Sequence, residues 1–118
     1  MWRDWAQMKK SSYADYVVND VLSRLNGVTA RAMFGGHGLY LKGTIFGLIA
    51  DEVLYFKTDG SNRVQYEKLG SRPFTYDGRK GKKVTINYWE VPSEILEDPN
   101  LVAEWAQGSV RISKSRTV

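Results

Sequence analysis

The chain has 118 residues, with 17 Lys+Arg against 13 Asp+Glu, no cysteine and a single histidine; 42% of it is hydrophobic and 25% charged, a globular composition. Such a length suits one domain, which buries roughly 65% of the surface its unfolded chain exposes. Without cysteine there can be no disulfide, thiolate zinc site or Cys nucleophile, and one histidine cannot build a multi-histidine metal site.

Residues 1–12 precede the first periodic segment and carry Trp2 and Trp5 without an apolar signal-type core. The apolar stretch around 45–50 is far shorter than the ~18 residues of a membrane span. A cytoplasmic protein with no membrane partner is therefore expected. From Ser12 to Leu25, Ala14, Val18, Val21, Leu22 and Leu25 recur on one helical face, with Ser11 or Ser12 as cap and Asn26-Gly27 as stop.

The helical period then vanishes. Ala30–Phe34, Leu39–Leu41, Thr44–Ala50 and Val53–Thr58 read as short strands, separated by Gly35-Gly36-His37-Gly38, Lys42-Gly43 and Asp51-Glu52. Bulky residues on both faces of Val53–Phe56 mark a central strand. Gly60–Leu69 reads as a helix with Ser61 as cap and Gly70 as stop. Pro73–Tyr76 and Lys82–Val91 form a further hairpin, in which Val84, Ile86 and Tyr88 face one way and Thr85, Asn87 and Trp89 the other. After a short helical turn at Pro92-Ser93, Asp98-Pro99 supplies an N-cap and a proline at the first helical position. Leu101, Val102, Trp105 and Ala106 are then the buried face of the last helix.

The order α-β(3–4)-α-β(2)-α, with two of the early strands open to merging, predicts an α+β domain, a two-layer sandwich of an antiparallel sheet with helices on one face. Phe46, Phe56 and Trp89 are the aromatic candidates for contact on the other face, pointing to self-association or ligand binding there.

Motifs that suggest chemistry have structural explanations. Phe34-Gly35-Gly36-His37-Gly38 leads into a strand, whereas a phosphate cradle leads into a helix, so it reads as a turn or bulge. His37 has no nucleophile or orienting partner at recognisable spacing and reads as a turn histidine. Asp51-Glu52 falls at a hairpin turn and Glu97-Asp98 at a helix cap. No catalytic residue, metal ligand or cofactor is expected. Charge is uneven along the chain: Arg72, Arg79, Lys80, Lys82 and Lys83 cluster against Asp77 alone, before a stretch with acids and no bases. Interleaved with Phe74 and Tyr76, this hairpin is the candidate contact for nucleic acid or an acidic protein.

Collectively, Arg31-Ala32-Met33-Phe34-Gly35-Gly36-His37-Gly38-Leu39-Tyr40, Phe46-Gly47-Leu48-Ile49-Ala50-Asp51 and Leu54-Tyr55-Phe56-Lys57-Thr58-Asp59 look familiar. With Pro73-Phe74-Thr75-Tyr76, Tyr88-Trp89-Glu90-Val91-Pro92 and Leu96-Glu97-Asp98-Pro99, they resemble the N-terminal domain of the TfoX (Sxy) family of bacterial competence regulators. The likeness spans about residues 13–110, leaving 1–12 as an extension and 111–118 as a basic tail. It implies the same two-layer sandwich and a non-enzymatic regulatory or adaptor role in transcriptional control, with protein as the expected contact and nucleic acid as a further one. His37 stands where the family commonly has an aromatic such as tyrosine. Competence regulators usually continue into a second, helical domain, so a stand-alone single-domain member is expected. The alternative is a self-associating, homodimeric or small-ligand-binding module with no role in transcription.

Overall fold

A computed structural model describes residues 13–33 and 35–115. The predicted extension over 1–12, Phe34 of the glycine motif and the last three residues lie outside the described residues.

The first helix, α1, covers 13–21, and its Val17–Val21 part is wound as π-helix, closed by a bond from Leu22 N–H to the Val17 carbonyl at 2.8 Å. It ends earlier than the predicted Leu25, which is buried in the turn that follows. Four strands come next: β1 (Val28–Met33), β2 (Gly36–Leu41), β3 (Thr44–Ala50) and β4 (Val53–Lys57). Then come α2 (Arg63–Lys68), β5 (Pro73–Asp77), β6 (Lys83–Glu90), the short α3 (Ser93–Leu96) and α4 (Pro99–Ser115). The sheet has six antiparallel strands in the order β1-β2-β3-β4-β6-β5, with β4 interior as its two-faced bulk requires.

Turn chemistry explains the meander. Asp51 and Glu52 have φ of 51° and 60°, the two left-handed residues of a tight hairpin turn, so their carboxylates sit there for backbone reasons. The Asp98 carboxylate accepts from Asn100 N–H at 3.0 Å and Leu101 N–H at 3.3 Å, the cap expected before Pro99. At α2 the expected cap shifts: Asn62 precedes the helix, and Ser61 instead donates its N–H to the Asp59 carboxylate at 2.8 Å.

The helices cover one face only. Val17, Val21 and Leu22 of the α1 region, Leu39, Ile49, Leu54 and Phe56 of the sheet, and Val102, Ala106 and Val110 of α4 form one buried cluster. Leu101, expected in this set, is 37% exposed on the outer side of α4. α4 approaches β3 and β4 closely because small side chains face the sheet. Ser109 donates to the Lys57 carbonyl at 2.6 Å and Ser113 to the Ile45 carbonyl at 2.6 Å. The helix continues to Ser115 with Ile112 and Ser113 buried, so residues 111–115 belong to the folded domain rather than to a tail.

Candidate functional site

Among the described residues, two surfaces and two pockets present chemistry. The first surface is the β5–β6 hairpin. Its strands pair from Pro73↔Trp89 to Asp77↔Lys83, and its tip, Arg79–Gly81, is a single 3₁₀ turn. Lys80 is held at φ 59°, ψ 32°, and Gly78 N–H reaches the Lys82 carbonyl at 2.6 Å. Lys83 pairs with Asp77 at 2.8 Å, an exposed bridge worth little. Arg79, Lys80 and Lys82 are exposed and have no carboxylate within ion-pair distance among the described residues. Arg72 does not join them. It lies at the other end of β5, where its carbonyl accepts from Glu90 N–H at 2.9 Å, about 15 Å along the strand from the tip. Arg72 is adjacent to the cluster in sequence, but the extended strand β5 separates it from the tip.

The second surface is the uncovered face of the sheet. Phe46 and Phe56, expected there, are instead 0% exposed in the core, their rings 5.8 Å apart. For Phe56 the reason is register: it sits beside Gly47 on one side and Trp89 on the other, on the face that α4 covers. Trp89 packs against the same core. For Phe46 the reason is a bulge. Leu39 pairs with Gly47 but Tyr40 with Ile45, so Phe46 is the extra residue and turns inward. The uncovered face carries Tyr40, Leu48, Tyr55, Tyr88, Phe74 and Tyr76 in their place, by the same registers. Tyr55 and Phe74 meet edge to face at 5.0 Å, Phe74 and Tyr76 stack at 6.1 Å, and the Arg31 guanidinium lies 5.6 Å above the Tyr40 ring. Burial raises the Tyr55 and Tyr88 hydroxyl pKa values, with Glu90 adding to the first and Tyr40 to the second.

A pocket of about 400 Å³ is lined by Tyr13, Gly35, Gly36, His37, Asp51 and Glu52 among others. His37 is therefore not a turn residue: it lies within β2, opposite Ala32 and Ile49. Among the described residues no hydrogen bond or ion pair joins it to Asp51 or Glu52, and no cluster of three or more metal-ligating side chains forms. Gly36 and Gly38 are likewise strand residues, leaving Gly35, at φ 80°, in the turn. A larger pocket of about 570 Å³ lies between α2 and α4, walled by Tyr66 and Trp105, whose rings meet at 4.6 Å. The Tyr66 hydroxyl is buried without a hydrogen bond of ordinary geometry, while the neighbouring Ser109 donates its proton to the Lys57 carbonyl. Burial holds Tyr66 protonated well above its ordinary range, an effect that Ser109 offsets in part.

Residues 20–112 match the TfoX N-terminal domain family. The chain is 33% identical over 76 residues to the DNA transformation protein TfoX1 of Aliivibrio fischeri, covering 64% of this chain and 35% of that protein. It is 28% identical over 93 residues to the DNA transformation protein TfoX of Haemophilus influenzae, covering 78% of this chain and 43% of that one. The chain thus spans well under half the length of these two relatives.

Proposed function

The chain belongs to the TfoX N-terminal domain family, and on that premise we propose that it is a regulatory domain without catalytic chemistry, acting by surface contact in the cytoplasmic control of DNA-transformation genes. The names of its relatives support a role connected with DNA transformation, which is regulatory in character. The observation that carries the contact reading is the hairpin tip. Arg79, Lys80 and Lys82 project together from a short turn with no internal counter-charge, while the acids of the following segment are spread along β6, α3 and α4. Cations placed so are free to displace counterions from a phosphate backbone, and the neighbouring exposed Tyr76 ring offers a base a stacking surface.

A mobility-shift series over salt concentration tests this with duplex DNA, single-stranded DNA and RNA. Binding at low salt is expected, with the triple reversal Arg79→Glu, Lys80→Glu and Lys82→Glu flattening the log K against log salt slope by about 2–3. Unshifted nucleic acid at low salt, or a slope that the triple reversal leaves alone, would overturn the nucleic-acid contact.

A further inference from the structure

The four pairings at the centre of the sheet align one row across five strands. Arg31 lies opposite Gly38, Gly38 opposite Leu48, Leu48 opposite Tyr55, and Tyr55 opposite Glu90. Directly opposed residues share a face, so the whole row lies on the side the helices leave uncovered. It begins with an exposed cation and ends with an exposed anion, and neither has an ion-pair partner among the described residues. Leu48, half-buried, is its midpoint. Gly38 is roofed by the Met33 sulfur and the Tyr40 ring, since a Cβ there would meet them at 2.6 and 3.1 Å, with the Tyr40 hydroxyl beside them at 3.3 Å, which makes a floor of thioether and phenol.

We propose that this face binds a second copy of the chain, about a two-fold axis running along β3 through Leu48. Such an axis preserves height along the strands and exchanges β1 with β6 and β2 with β4. It sets Arg31 of each copy against Glu90 of the other, Tyr55 on the Met33–Tyr40 floor, and Leu48 on Leu48. The charges meet twice with the correct sign, as an isologous interface requires.

Charge also decides against nucleic acid as the occupant. The cation and the acid of the row cancel, and a phosphate backbone crossing it would meet Glu90. The tyrosines suit a protein interface, where such rings give large contact area at low entropic cost. The five overlapping strands present a planar footprint of about 24 Å by 17–20 Å, so two copies cover on the order of 800–1,000 Å² between them. That lies below the roughly 1,200 Å² of stable specific interfaces, in the range of weak, transient ones, and points to a reversible dimer. This inference does not depend on the regulatory reading or on the basic hairpin.

Sedimentation equilibrium of the full chain tests it, from about 1 µM to about 500 µM, a range that spans reversible affinities. A monomer–dimer equilibrium is expected. Arg31→Glu and Glu90→Arg should each weaken it about 10- to 100-fold, because each creates two like-charge contacts across the axis. An equimolar mixture of the two single variants should recover the wild-type dissociation constant, since both contacts are then of opposite sign. That rescue in trans could not come from a variant that had merely failed to fold. A chain monomeric at every concentration, single variants that dimerise like the wild type, or a mixture without rescue would each overturn the proposal.

Discussion

Substituting alanine at Gly36 tests whether the glycine motif is built for strand packing. Gly36 lies outside the left-handed φ region, so the substitution carries no backbone penalty of that kind. A Cβ there falls far inside van der Waals contact of the Ile49 carbonyl oxygen, with the carbonyl carbon at 3.2 Å and Ala50 Cα at 3.5 Å. These are backbone atoms of the neighbouring strand and cannot rotate away. Relief requires β2 to lift from β3 beside the His37↔Ile49 pair. Overpacking costs about 1–3 kcal/mol, and one or two loosened ladder bonds add about 1 kcal/mol each, giving a destabilisation of ~2–5 kcal/mol. A domain of this size has on the order of 6–18 kcal/mol in total. Gly35→Ala meets nothing within 4 Å but must hold φ at 80°, which costs about 1–2 kcal/mol. Gly60→Ala has neither problem and should stay within about 0.5 kcal/mol. Urea unfolding followed by circular dichroism orders the three. At a slope of roughly 2 kcal/mol/M, Gly36→Ala should move the midpoint by about 1–2.5 M. A Gly36→Ala loss no larger than that of Gly35→Ala would refute the steric account.

Removing the Ser113 hydroxyl takes the side-chain donor from the part-buried Ile45 carbonyl, and removing that of Ser109 leaves the Lys57 carbonyl with the long 3.4 Å bond from Asn62 Nδ2, so Ser113→Ala and Ser109→Ala should each cost about 1–3 kcal/mol in the same unfolding assay. Ser115→Ala, which loses only a local bond to the Ile112 carbonyl on an exposed turn, should be near neutral. Tyr66 governs part of the alkaline limb. Its folded pKa lies above the unfolded value of 10.0, so its contribution is full below pH 10 and is lost as pH rises from there toward the folded value. Tyr66→Phe should therefore flatten the fall of stability above pH 10. At neutral pH it should change stability by less than about 1 kcal/mol, since the hydroxyl has no bond of good geometry to lose. The hairpin and sheet-face experiments complete the set.

Local pattern determined a good deal of this protein. Alternation placed Val84, Ile86 and Tyr88 opposite Thr85, Asn87 and Trp89, and the register bears this out. Asp98-Pro99 marked the start of α4, and Asp51-Glu52 a turn, because caps and tight turns are decided by a few neighbouring residues. The two-layer fold followed from the order of these elements. The basic run, too, was visible in composition, although an extended strand removed Arg72 from the tip.

Tertiary structure decided which face of the sheet is covered. Alternation says which residues share a face, but the side on which α1 and α4 land depends on contacts remote in sequence. Trp89 and Phe56 therefore lie on the covered side, while Tyr40, Tyr55 and Tyr88 take the open one. At Phe46 a single bulge reverses the parity of β3, and no local signal marks where the extra residue falls. The row from Arg31 to Glu90 is the extreme case. It exists only because four separate strand registers agree, so its paired end charges, and the second copy they would receive, arise from the assembled sheet and from no segment within it.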